Sequence, residues 1–146
     1  MAVYQLLNEG LPDRNFFILG GLLIILVGLY AFKADSNFGF TVFVLVGFAV
    51  LFTGYAIGTS SLAWENITFG IVFILAIIWS LVAKTPKVLS LILVTTALIF
   101  LVVGLSVLYP DFDKWYLVLG IVALFNFLFN IYLAFALALE NKLPIV

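Results

Sequence analysis

Hydrophobic residues in this chain come in long, nearly unbroken runs, and polar residues are confined to the short breaks between them. The first run starts at Phe16 and closes at Lys33-Ala34-Asp35-Ser36-Asn37. Later runs close at Thr59-Ser60-Ser61 with Glu65, at Lys84-Thr85-Pro86-Lys87, and at Pro110-Asp111 with Asp113-Lys114, and the last gives way to Glu140-Asn141-Lys142-Leu143-Pro144. A hydrocarbon core of about 30 Å takes roughly 20 apolar residues in a helix, and proline blocks helix continuation. The pattern therefore predicts five spanning helices, at about 16–32, 39–58, 66–83, 88–108 and 115–139. Backbone groups in hydrocarbon must be satisfied within their own segment, so neither strand nor lipid-exposed loop is expected between them. The expected fold is all-α: a polytopic transmembrane helical bundle forming one domain over 16–146, after a segment (1–15) too short to span. The fifth helix is longer than crossing requires and is expected to tilt or protrude.

Composition strengthens this reading. Of 146 residues, 66% are hydrophobic and 9% charged, more apolar surface than a soluble domain of this size can bury. The lipid bilayer is the first partner implied. A net charge of −1 offers no basic patch to neutralise phosphates, so nucleic acid is not expected as a partner. With no cysteine and no histidine, disulfides, zinc sites, ordinary haem ligation and histidine proton shuttles fall away, and no cofactor is expected. The opening MAVYQLLNEGLPDRN lacks a basic n-region and a small-residue cleavage site, so no removable signal peptide is expected. Basic residues divide unevenly between the two sides: Arg14 and Lys114 on one, Lys33, Lys84, Lys87 and Lys142 on the other. The positive-inside rule puts the second side in the cytoplasm of a cell membrane, with the N-terminus outside and the C-terminus inside. Trp64 and Trp115 then belong to the outer aromatic belt and Trp79 to the inner one.

The chemistry available inside the spans is limited. None of the predicted spans has Asp, Glu, Lys or Arg in its interior, which weakens any carboxylate-driven pump; Glu140 reads as an interfacial charge near Lys142. No nucleophile–base pair, metal cluster or phosphate-cradling loop is present, so an enzyme is not expected. Asn126 and Asn130 share one face of the fifth helix at i, i+4. They read either as a hydrogen-bonding lining for a carboxylate or water path, or as interhelical glue worth about 1 kcal/mol per bond. Thr95, Thr96 and Ser106 add hydroxyls in the fourth helix, where threonine can satisfy itself on the preceding turn. Gly47, Gly54 and Gly58 recur at i, i+7, i+11 along the second helix, and Gly21 and Gly28 at i, i+7 along the first. Small residues at such spacings let helix backbones approach closely, and all five glycines are expected to pack helices together. Asn66-Ile67-Thr68 matches a glycosylation sequon but lies close to the predicted bilayer.

The block Gly20-Gly21, Gly28-Leu29, Lys33, Phe38-Gly39-Phe40-Thr41-Val42-Phe43 and Gly47 resembles the acetate uptake transporter family, the succinate–acetate permeases. In that family a helix ends in a basic hinge and the next begins Phe-Gly-x-Thr-x-Phe. Lys87-Val88-Leu89, Ile131-Tyr132-Leu133-Ala134 and the tail Glu140-Asn141…Leu143-Pro144 extend the resemblance loosely over 16–146. It implies a small helical bundle, forming a homo-oligomer, that passes a small carboxylate. The family's constriction is similar to a Phe–Tyr–Leu set. Its Phe lies on a first helix, with an Asn-Pro-Ala-Pro-Leu-Gly motif, that has no counterpart here; its Tyr falls on Val46 and its Leu near Thr96. Asn126, Asn130, Thr96 and Val46 are accordingly the pore-lining candidates. The alternative expectation is a structural or accessory subunit, a transporter-like bundle packed among other membrane subunits.

Overall fold

A computed structural model of the chain describes residues 14–33 and 36–138. Among these residues there are five helices and no strand: α1 (Arg14–Lys33), α2 (Asn37–Ala56), α3 (Leu62–Val82), α4 (Lys87–Leu108) and α5 (Trp115–Ala138). Each is long and apolar enough to cross a membrane. At 1.5 Å per residue, their lengths of 20 to 24 residues correspond to about 30–36 Å, which matches the hydrocarbon core. Large apolar side chains lie open along them: Leu19, Leu26, Ile78, Leu117, Leu124 and Phe127 are each about half exposed or more. Water would not tolerate that surface, and lipid tails do. The protein is an all-α integral membrane protein.

Several helix ends differ from the hydropathy pattern, α1 among them, which starts at 14 rather than 16, and three of the differences have an evident physical cause. The pattern predicts a start for α2 at 39, but Ser36 caps it two residues earlier. Its hydroxyl accepts from the Gly39 backbone N–H at 3.2 Å, satisfying one of the orphan donors of the first turn. The pattern also carries the second helix to 58, whereas α2 ends at Ala56. Gly58 has φ +85 and open space where a Cβ would stand. It is therefore a turn residue beyond the helix, and its expected role in helix packing is corrected. The periodicity that groups it with Gly47 and Gly54 assumes a helix that has already stopped, and glycine beyond a C-terminus is a common stop because it adopts this conformation without steric cost. The third difference is α3, which begins at Leu62 rather than 66. Glu65, assigned to the connecting turn by sequence, sits in its first turn, where a carboxylate complements the helix dipole. The predicted last residue of the fifth helix, 139, and the Glu140–Pro144 tail lie outside the described residues, as do Asp35 and nearly all of the 1–15 segment.

Where the pattern predicts one domain over 16–146, the internal contacts divide the chain into two compact units, with the division between Asn66 and Ile67. The first unit is an α1–α2 hairpin with the opening turn of α3. Its seam is made of glycines. A Cβ on Gly21 would lie 2.6 Å from the Gly47 carbonyl oxygen, and one on Gly47 would lie 2.8 Å from the Gly21 carbonyl oxygen and 2.6 Å from Ile25 Cγ1. Gly28 faces Val44 in the same way, and Gly54 faces Phe17 and Ile18. Such approach lets two backbones share dispersion contact along their length without any hydrophobic driving force. Leu62, Ala63 and Asn66 from α3 complete the unit, all buried.

The second unit contains the rest of α3, then α4 and α5. Phe73 is fully buried and stacks on Phe100, with ring centroids 5.3 Å apart, while Leu101 lies directly against Gly70. These contacts join α3 to α4. The turn between them is closed by hydroxyls: Ser80 is fully buried and hydrogen-bonds both Thr85 and, at 2.7 Å, Ser90. Lys84 takes a left-handed conformation there, φ 52, which reverses the chain ahead of Pro86. On its other flank α4 meets α5 through the polar cluster described next.

Candidate functional site

Three of the four pore-lining candidates come together in the second unit. Thr95 and Thr96 stand eight and nine residues into α4, about 12 Å along its axis, and Asn126 lies at the middle of α5. The Asn126 side-chain amide donates to Thr95 Oγ1 at 2.8 Å and to Thr96 Oγ1 at 3.0 Å, with a longer approach of 3.3 Å to the Ile92 carbonyl. Thr95 in turn donates to the Leu91 and Ile92 carbonyls, both at 3.0 Å. Asn130, one turn further along α5, donates its amide to the Asn126 backbone carbonyl at 2.8 Å and to Asn126 Oδ1 at 3.0 Å. The i, i+4 spacing on α5 thus makes one asparagine orient the other, while the adjacent threonines of α4 present both hydroxyls to the same amide.

Burial is graded across this cluster. Thr95 and Thr96 are more than nine-tenths buried, Asn126 is half-buried and Asn130 is exposed. Two groups keep capacity after the bonds above are counted. The Thr96 hydroxyl proton has no acceptor among the described residues, and Asn130 Oδ1 has no donor. A hydroxyl and an amide carry one donor and two acceptor sites, and two donors and one acceptor oxygen, respectively. The cluster therefore offers a graded set of neutral hydrogen-bonding groups from the buried face of α4 to the open face of α5. It contains no ionisable group, so it can bind and orient a polar solute but cannot itself hold a charge. Among the described residues no group of side chains is arranged to hold a metal ion.

Val46, the fourth candidate, belongs to the first unit and is half-buried at mid-α2. Among the described residues Ser106 bonds its own helix, donating to the Val103 carbonyl at 2.8 Å. The Asn66 sequon side chain is closed off: it is 1% exposed, donates to the Leu62 carbonyl at 2.8 Å, and its Oδ1 accepts from Thr53 at 3.3 Å. That bond ties α2 to the first turn of α3 and is not legible from the sequon, which concerns only the order of three residues. The Ser80–Thr85–Ser90 cluster is likewise invisible to motif reading, since its members are five and ten residues apart and meet only because the chain reverses at Lys84. Glu65 carries a buried carboxylate oxygen, Oε2, with no hydrogen-bond partner among the described residues.

Gly39 shows why the Phe-Gly-Phe-Thr block has its form. A Cβ at this position would stand 2.7 Å from the Ser36 hydroxyl that caps the helix, so the cap and the glycine require one another. Thr41 donates to the Asn37 carbonyl at 3.0 Å, and Phe32 and Phe40 pack across the hinge with centroids 5.2 Å apart. The residues that carry the family resemblance are thus, in this structure, a helix-start device and a packing seam. Compared with protein-family models, with characterised proteins and with solved structures, the chain matches none.

Proposed function

We propose that this protein is a membrane transport protein for a small monocarboxylate, acetate being the simplest, and that Thr96, Asn126 and Asn130 form the polar step at mid-span. The observation that carries this reading is the convergence of the asparagine pair, chosen for its i, i+4 spacing, with Thr96, chosen on the resemblance, into one cluster with an open end at Asn130. Selectivity in such a bundle comes from width and from a few amide and hydroxyl groups, with no fixed charge to trap the solute. The test is uptake of labelled acetate into vesicles containing the purified protein. Thr96→Val keeps the shape of the side chain and removes its hydroxyl, so uptake should fall about tenfold, roughly one charge-assisted hydrogen bond, with the folded fraction unchanged. Uptake equal to that of the unsubstituted protein in both Thr96→Val and an Asn126→Leu, Asn130→Leu variant would remove the transport assignment.

A second reading, a structural subunit within a larger membrane assembly, is favoured by a different feature of the same cluster. Both Asn126 amide hydrogens are already engaged by α4, the arrangement expected of an interhelical clip. Gentle solubilisation with identification of every co-purifying polypeptide separates the two. A homo-oligomer supports the transporter, and recovery only with unrelated subunits supports the scaffold.

A further inference from the structure

One groove in the second unit borders the amide–hydroxyl cluster and differs from it in chemistry. It has a volume of about 370 Å³ and is lined by Lys87 and Val88 at the start of α4, Leu91 one turn on, and Leu128, Phe129 and Tyr132 of α5. Its long walls are hydrocarbon and aromatic. Only one end is charged, where Lys87 stands exposed, with Lys84 three residues before it in the adjoining turn, also exposed. Among the described residues the carboxylates of this unit are Asp111 and Asp113, beyond the far end of α4, about 30 Å away along a helix of this length. The cationic end is therefore not neutralised by any described neighbour. The first turn of α4 adds to it: Pro86 gives the helix no side-chain cap, and the backbone N–H groups of Lys87 and Val88 have no acceptor among the described residues.

We propose that this groove binds one anionic phospholipid, with an acyl chain along Leu91, Leu128 and Phe129 and the phosphate at Lys87 and the opening turn of α4. Charge complementarity selects the headgroup, and the apolar depth selects an acyl chain over a free phosphate. The span geometry places the lysine at headgroup level, because Lys87 is the first residue of a helix of membrane-crossing length. Tyr132 lines the same groove, and tyrosine is enriched at the membrane–water interface. The site needs nothing from the polar cluster and holds whether or not the protein transports a solute.

The experiment is titration of the purified full-length protein with phosphatidylglycerol and with phosphatidylcholine of identical chains, read by native mass spectrometry in a mild detergent. Phosphatidylglycerol should bind at least fivefold more tightly. Lys87→Gln should reduce its affinity roughly fivefold, the effect of one interfacial lysine, while Lys114→Gln, at the opposite end of the unit, should leave it unchanged. Leu128→Trp fills the groove from an exposed position and should lower occupancy by either lipid; the bound-lipid mass and unchanged helical circular dichroism together show that the variant is folded. Equal affinity for the two lipids, or an unaltered affinity in Lys87→Gln, overturns the proposal. Loss in Lys87→Gln with no loss in Leu128→Trp also overturns it, because the contact is then with a headgroup that has no seat in the groove.

Discussion

Single residues set the closeness of the first hairpin. Gly47 and Gly20 are both glycines in apolar helices, yet a Cβ on Gly47 would meet atoms of α1 at 2.6 to 2.9 Å while one on Gly20 would meet nothing within 4 Å. Gly47→Ala should therefore destabilise the fold by about 1–3 kcal/mol through overpacking, and Gly20→Ala should be silent; denaturant unfolding followed by circular dichroism in detergent reads both. Lys84 presents the opposite case. Its left-handed backbone, φ 52, is disfavoured for any residue with a Cβ, so Lys84→Gly should stabilise the α3–α4 turn by about 1 kcal/mol in the same assay. At this scale sequence was informative only in part. Spacing alone marks Gly21, Gly28, Gly47, Gly54 and Gly58 alike, but it does not carry where α2 stops, and Gly58 lies past that point. The polar run Thr59-Ser60-Ser61 directly after Gly58 is the signal that separates a terminating glycine from a packing one.

Among the helices, attachment is uneven. α4 buries residues on several sides, Val88, Leu93, Ala97, Phe100 and Gly104 among them, whereas α5 leaves most of its apolar length open, buries Leu133 and Ala136 near its end, and is hydrogen-bonded to α4 through the asparagine–threonine cluster. A double-mutant cycle on Asn126→Ala and Thr95→Ala should give a coupling energy of about 0.5–1.5 kcal/mol, the range found for hydrogen bonds between membrane helices. A value near zero would mean that the amide finds other partners in the unfolded reference. Element existence was readable because five apolar runs admit no other membrane-compatible structure. The partnerships between elements were not: Thr53 with Asn66, and Ser80 with Thr85 and Ser90, depend on which helix faces turn toward one another, and runs this uniformly apolar contain little facial information. Asn126 and Asn130 were readable as a pair for the opposite reason, being polar side chains where every neighbour is apolar.

For the molecule as a whole, the basic residues predict the direction of insertion. If Lys33, Lys84 and Lys87 face the cytoplasm, single cysteines at Lys84 and at Lys114, introduced into a chain with no native cysteine, should react differently with an impermeant maleimide added to intact cells: labelled at 114, protected at 84 until the membrane is opened. Reversed labelling would invert the topology and move the Lys87 groove to the opposite leaflet.

The hydroxyl-closed turn between α3 and α4 bears on how the chain first enters the bilayer. Ser80, Thr85 and Ser90 satisfy one another within the turn itself, so a nascent chain that has emerged only as far as Leu108 already holds every partner that this corner needs. The two helices can then leave the translocation machinery together as a preassembled pair. The amide of Asn126 has its acceptors waiting on a segment synthesised some thirty residues earlier, which makes membrane entry of the last helix an act of recognition as well as of partitioning.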